Sequence, residues 1–144
     1  MLIHQILKDK PLAGVATVKP GTKVSDAANL LSEKKIGAVV VSADGVRPDG
    51  ILSERDIVSA LGQIGTGCLD QSVDDLMTAE LVTCLPGDRA IQVLQTMTER
   101  RFRHMPVMEG DKMIGLVSIG DVVKARLDEL SQQADALKNM IMGY

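Results

Sequence analysis

Aromatic side chains are almost missing from this 144-residue chain: Phe102 and Tyr144 are the only two, and tryptophan is absent. That removes the platforms on which single-strand and RNA readers stack bases. The core must be aliphatic, with eight methionines as filler. Cysteine is scarce too. Cys68 and Cys84 form no Cys-x-x-Cys pair and have no nearby histidine, so they read as reduced, inert thiols and not as a zinc or redox site. Long apolar runs are lacking: Ala38–Val41 is the longest, far short of the ~18 residues a membrane span needs. Lys8 and Lys10 follow the apolar residues of the N-terminus, the reverse of a secretory signal, so the expectation is a cytoplasmic protein that does not engage membranes. Nor is there an excess of positive charge. Lys plus Arg is 16 against 19 Asp plus Glu, a net charge of −3, which argues against a general nucleic-acid binder.

What remains is 45% hydrophobic and 24% charged, the balance of one soluble globular domain or two very small ones. A chain of this length buries roughly 70% of its unfolded surface, enough for a core without staples.

The chain also repeats itself. Thr17-Val-Lys-Pro20-Gly21-Thr22 aligns with Thr83-Cys-Leu-Pro86-Gly87-Asp88, 66 residues on. Behind each Pro-Gly lies a helical pattern, Val24, Ala27, Ala28 and Leu31 in one copy and Ala90, Val93, Leu94 and Met97 in the other. Thr22 and Asp88 stand where N-caps would. Extended segments follow at Gly37–Val41 and Arg103–Val107, the first apolar enough to be buried on both faces. After a turn one residue longer in the first copy, both end alike, in Gly50-Ile-Leu-Ser53-Glu-Arg-Asp56 and Gly115-Leu-Val-Ser118-Ile-Gly-Asp121, a strand running into a helix. Each copy therefore reads as strand, helix, strand, strand, helix. At about 50 residues neither is comfortable alone, so an α/β (α+β) fold is expected in which the two pack about a pseudo-twofold axis with a cleft between them.

The paired endings Gly-hydrophobic-x-Ser-x-x-Asp, with Thr-x-x-Pro near each start, resemble the CBS (cystathionine beta-synthase) domain pair, or Bateman module. The resemblance covers about residues 12 to 128, and two copies at one period make it specific. It divides the chain into an N-terminal segment (1–11), a first repeat (12–62), a linker (63–75) centred on Gly65-Thr-Gly67, a second repeat (76–128) and a C-terminal helix extension (129–144). It implies a nonenzymatic, stand-alone regulatory sensor that binds an adenosyl nucleotide between the repeats: AMP or NAD(H) first, with ATP, ADP and S-adenosylmethionine as the wider class. The chain lacks a Gly-x-Gly-x-x-Gly turn after a strand, so NAD would be a signal and not a hydride carrier.

Carried over by position, Asp56 and Asp121 would accept ribose hydroxyls, for which a carboxylate has the lone pairs. Ser53 and Ser118, each opening a helix, would meet phosphate where free N–H groups favour an anion. Ser-x-x-Asp is equally a capping box. Arg55 and Arg103, one from each copy, would approach phosphate in the central region, while Arg100 and Arg101 read as a solvated helix end. Gly37 and Ala38 would leave room for an adenine, and Thr17 and Thr83 would line the clefts from the first strands. His104, with Met105 and Pro106, would lie against the ligand. The second cleft, with Thr83, Arg103, His104, Met105, Ser118 and Asp121, is expected to be the better equipped for a phosphate-bearing ligand. His4 reads as a surface residue.

From Val123 onward Leu127, Leu130, Ala134, Leu137 and Ile141 recur at heptad spacing, which predicts a helix that meets its copy in a homodimer; the other reading folds it back on its own repeat. A separate effector protein would read the conformational signal. Cys68, Cys84, His4 and His104 form no catalytic set, so no enzyme activity is expected. The competing function is a protein-interaction scaffold with no physiological nucleotide.

Overall fold

In the computed structural model, which describes residues 1–10 and 15–143, the order is α1 (Ile3–Leu7), β1 (Thr17–Val18), α2 (Val24–Lys34), β2 (Ala38–Val41), β3 (Gly50–Ser53), α3 (Glu54–Ile64), a 3-10 helix (Gly65–Asp70), α4 (Val73–Leu76), α5 (Ala90–Arg100), β4 (His104–Glu109), β5 (Lys112–Ser118) and α6 (Ile119–Ile141). The expected boundary between residues 11 and 12, and Tyr144, lie outside the described residues. Among the described residues no helix is long and apolar enough to cross a membrane.

The spacing of apolar residues determines which faces are buried. Val24, Ala27 and Leu31 of α2 and Ala90, Val93 and Met97 of α5 form the two inward stripes. Strand β2 is buried along its whole length, and its alternate residues serve different cores. Val39 and Val41 pack with Leu52, Ile57 and Val73 under the first repeat's helices. Ala38 and Val40, with Ile51, meet Met113 and Leu116 of the second repeat. That third cluster is the inter-repeat interface. Burying it removes apolar surface at about 25 cal/mol per Å², which neither half could bury by itself.

The sheets differ for one identifiable reason. In the first repeat β1 runs parallel to β2, Val40 N–H donating to the Ala16 carbonyl at 3.0 Å, and β2 pairs antiparallel with β3. In the second repeat β4 and β5 pair antiparallel, but the expected first strand shrinks to one parallel bridge of Cys84 with Val107. The residue that corresponds to Val40 is Pro106. Without an N–H it cannot donate to the preceding strand, so only the bonds on either side of Cys84 survive, from Cys84 to Pro106 O and from Met108 to Cys84 O.

The expected helix caps need correction. Thr22 and Asp88 are not N-caps: the capping positions are Lys23 and Arg89, without side-chain bonds. Thr22 Oγ1 donates to Lys19 O at 2.6 Å, and Asp88 Oδ2 accepts from Leu85 N–H at 2.8 Å, so each closes the preceding Pro-Gly turn. The orphan helix donors are satisfied by other segments, Val24 N–H by Gln71 O and Ala90 N–H by Met1 O. The glycine-centred linker is itself ordered. It forms the 3-10 helix and α4, and buries Cys68 and Val73.

Those bonds expose an exchange that the 66-residue offset does not register. The α4 segment crosses to the start of α2 with Val73 N–H on Thr22 O, and α1 crosses to the start of α5 with Ile3 N–H on Asp88 O. Each arm runs over a strand glycine. A side chain at Gly50 would overlap Met77, and one at Gly115 would overlap Leu7. The N-terminal segment is thus part of the second repeat's core, through Ile3 and Ile6.

Helix α6 is continuous from Ile119 to Ile141, with no break at residue 128. Leu127, Leu130, Leu137 and Ile141 are exposed, so the stripe does not fold back on its own repeat.

Candidate functional site

Both helices that follow the strands open with a capping box. Ser53 Oγ accepts from Asp56 N–H at 3.2 Å and Asp56 Oδ2 accepts from Ser53 N–H at 2.9 Å; at Ser118 and Asp121 the distances are 3.1 and 2.8 Å. Each aspartate spends lone pairs of one oxygen on its cap, which fixes the carboxylate at the helix start and leaves the other oxygen unused by the cap. Capping and ligand binding are compatible here.

The edges of the two clefts are exchanged between repeats. Ile119 N–H donates to Arg103 O at 2.8 Å and Glu54 N–H to Gly37 O at 2.9 Å, so each helix start is tied to its own strand entry. The cavities themselves join a helix start of one repeat to the strand entry of the other. One, of about 180 Å³, combines Ser53, Arg55 and Asp56 with Arg101, Phe102, Arg103 and His104, and is floored by Ile51, Leu81 and Val82. The other, of about 390 Å³, combines Ser118 and Leu116 with Ile36, Gly37 and Ala38, and is edged by Val15, Ala16, Asp9 and Lys10; Asp121 does not line it and meets it only through Lys10. Gly37 and His104, the two strand entries, border both.

This overturns the expected grouping of Arg103 with Ser118 and Asp121. Arg103 stands at the position equivalent to Gly37, and Arg55 at the position equivalent to Gly120. Because a cleft draws its helix start and most of its strand entry from different repeats, both arginines fall in the Asp56 cleft, while Ala38 falls opposite Ser118 and Gly37 lies between the two cavities. Arg101 joins them. It terminates α5 in the left-handed region (φ 59°), as Lys35 terminates α2 (φ 53°), and the turn that results swings Phe102 and Arg103 inward. Sequence reasoning missed Arg101 and Phe102 as cleft residues, although the internal alignment pairs Phe102 with Ile36 in the other cleft.

Four further expectations shift. Thr17 and Thr83 are exposed and border neither cleft; Val15, Ala16, Leu81 and Val82 line them instead, because alternation turns Thr17 out between Ala16 and Val18. Met105 is 1% exposed and packs in the second repeat's core, so its side chain offers nothing to a ligand. Pro106 is buried in β4, opposite Leu116 and away from the lining. Lys10, unsuspected from sequence, lies against Asp121 at 2.6 Å.

The electrostatics follow this geometry. Burial, reinforced by the Lys10 ammonium, holds His104 below the ordinary histidine value; Asp121 and Glu54 oppose the shift without cancelling it. At Asp121 burial pushes upward, but the Lys10 ammonium and the Ser118 bonds outweigh it and keep the carboxyl below its ordinary value. Burial, with the nearby Asp88 carboxylate, pushes Cys84 up to about 12, so this thiol is inert at neutral pH.

Comparison with known proteins agrees with this architecture. The family model for the CBS domain matches residues 7–63 and again 73–128. The chain is 36% identical over 124 residues to the mitochondrial CBS domain-containing protein CBSX3 of Arabidopsis thaliana, covering 83% of this chain and spanning 60% of that relative's length. Among solved structures, a CBS-domain protein of Agrobacterium tumefaciens superposes with a TM-score of 0.82 at 44% identity, covering 88% of this chain and 99% of that one. CBSX2 of Arabidopsis thaliana, solved in complex with AMP, gives a TM-score of 0.74 at 28% identity, over 88% and 96% of the two chains. With the family matched twice across a single structural period, the chain belongs to the CBS domain family and carries its domains as a pair.

Proposed function

We propose that the chain is a nonenzymatic sensor of adenosyl nucleotides that changes conformation when a ligand fills the cleft between the repeats. The observation that carries this reading is the convergence of Arg55, Arg101 and Arg103 on the cleft that also holds Ser53 and Asp56. Paired guanidinium donors suit phosphate. The Asp56 carboxylate suits a hydroxyl pair, since one oxygen is unused and the other accepts only its cap, and Ile51, Leu81 and Val82 form an apolar seat for a base. AMP-bound CBSX2 supports the same ligand class in this family. A cleft of about 180 Å³ lies below the roughly 300–1,000 Å³ of small-molecule sites, so a nucleotide there separates the repeats or stays partly in solvent. The former would be the conformational signal. AMP and NAD(H) rank level as the ligand, ahead of ATP, ADP and S-adenosylmethionine.

The exposed stripe of α6 is where a second copy would dock, making a homodimer whose relative arrangement a separate effector protein would read, in the cytoplasm. The deciding measurement is calorimetric titration of the purified protein with AMP, ATP, NAD, NADH, adenosine and S-adenosylmethionine, after release of any ligand carried through purification. Saturable binding is expected. Arg103→Ala should weaken AMP tenfold or more (a charged hydrogen bond being worth about 1.5–3 kcal/mol) and leave adenosine nearly unchanged. Silence across the panel would overturn the reading in favour of an interaction scaffold.

A further inference from the structure

The cleft at Ser118 is bordered by a cation that the chain itself supplies, Lys10, which stands between the cavity and the Asp121 carboxylate behind it. Lys10 Nζ donates to Asp121 Oδ2 at 2.6 Å and to the Leu116 carbonyl at 3.0 Å. The same Oδ2 accepts the capping bond from Ser118 N–H at 2.8 Å. A carboxylate oxygen has two lone pairs, so this oxygen is fully used. Asp56 Oδ2 accepts only its cap, and among the described residues no ion pair engages it. The Leu116 carbonyl is the counterpart of that of Ile51, which in the first repeat accepts the Thr78 backbone N–H at 2.9 Å. Lys10 therefore meets with its side chain a strand carbonyl whose counterpart is met by backbone. It is positioned by α1, whose Ile3 and Ile6 are buried and whose Leu7 carbonyl accepts the Lys10 N–H at 3.0 Å.

We propose that Lys10 is an internal occupant of the Ser118 cleft, an autoinhibitory latch that must leave the Asp121 carboxylate before the two hydroxyls of a riboside can use it. The proposal rests on the reading that these clefts take nucleosides. A vicinal diol needs an acceptor on each carboxylate oxygen, and Oδ2 offers one only once Lys10 has moved. The Asp56 cleft is then the first to fill, and filling the second releases the end of the N-terminal arm. Ligand occupancy is in this way tied to the seating of α1.

Nuclear magnetic resonance on the full chain separates the parts of this proposal. In the absence of ligand, Lys10→Met, with Lys10→Gln as a second variant, should raise the titration midpoint of the Asp121 carboxyl; an unmoved Asp121 would remove the latch. Adenosine, which has no phosphate for the lysine to follow, is then titrated while the Ser118 and Ser53 amides are observed. Affinity read at Ser118 should rise about three- to tenfold in the variants, the scale of a partly exposed ion pair, with no change at Ser53. Equal or weaker binding at Ser118 would overturn the latch and make Lys10 a ligand contact or a bystander. If the Asp121 midpoint moves and adenosine and AMP bind at neither amide in any protein, the ion pair stands, while the nucleotide reading and the gate fall together.

Discussion

The two repeats share a scaffold, and the differences that matter most lie where they face a cleft. Gly37 answers Arg103, Ala38 answers His104, Ile36 answers Phe102, and Arg55 answers Gly120. Within one repeat these look like scattered exchanges. Across the pseudo-twofold axis they sort, because every cleft is assembled from both copies, and the arginines converge on Asp56 while the Ser118 cleft receives small residues and Lys10, which pairs with Asp121. A duplicated fold can thus make two unlike sites by a few exchanges: matched substitutions at a helix start and at a strand entry add in one cleft and deplete the other.

The strongest way to break the comparison is to ask whether the halves are independent. Leu52 and Val117 occupy equivalent places on β3 and β5, and both are fully buried. Leu52→Ala should cost about 2–5 kcal/mol and Val117→Ala, which loses fewer carbons, about 1–3 kcal/mol. Urea denaturation should show each loss in a single transition, because the inter-repeat cluster and the crossed arms tie the cores together. Two separate transitions, with only one displaced by each variant, would mean that the repeats are autonomous.

A smaller effect sharpens the comparison at the arms. A methyl group at Gly50 would overlap Met77 and stand 3.0 Å from the Thr78 carbonyl, which is backbone; at Gly115 it would overlap only the end of the Leu7 side chain. Gly50→Ala should therefore cost about 1–3 kcal/mol, and Gly115→Ala less, since Leu7 can rotate away. Equal losses in thermal denaturation would show that α1 is seated as firmly as α4. Exchange of the Ile3 amide with solvent gives a local check, because its bond to Asp88 O should open faster in Gly115→Ala.

Much of this fold was legible in sequence because it is local. The helical stripes, the buried run at β2 and the strand-to-helix turns at Ser53 and Ser118 each follow from spacing within a dozen residues. The cleft membership was not, since it depends on which repeat faces which. Alignment along the chain pairs Arg103 with Gly37, and nothing in that pairing says that Arg103 meets Asp56 across the axis. Pro106 was a readable signal that went unused: a strand whose central N–H is missing cannot hold a full partner on that side. Lys10 was hidden by a register change, the α1 and α4 arms being offset by 70 residues where the strands and helices are offset by 66 or 65.

His104 gives the subtlest test, because its counterpart Ala38 cannot titrate at all. The folded state holds its imidazole below the ordinary value of 6.5, through burial first and the Lys10 ammonium second, so the neutral ring is the form the fold accepts. The unfolded chain therefore binds the proton more readily in that range. Stability from this site is complete above pH ~6.5 and is lost as pH falls through the folded-state value. Asp121 follows the same direction in a separate, more acid window, its carboxyl being held below an ordinary value of 3.8. Denaturation midpoints measured between pH 7 and 5 should fall in the wild type, and His104→Asn should flatten that fall while leaving the acid limb. A slope unchanged by the substitution would place the proton elsewhere. With AMP bound beside Arg103, the phosphate would favour the imidazolium and shrink the same loss, so the pH slope doubles as a reading of whether the anion settles in the cleft that the arginines share.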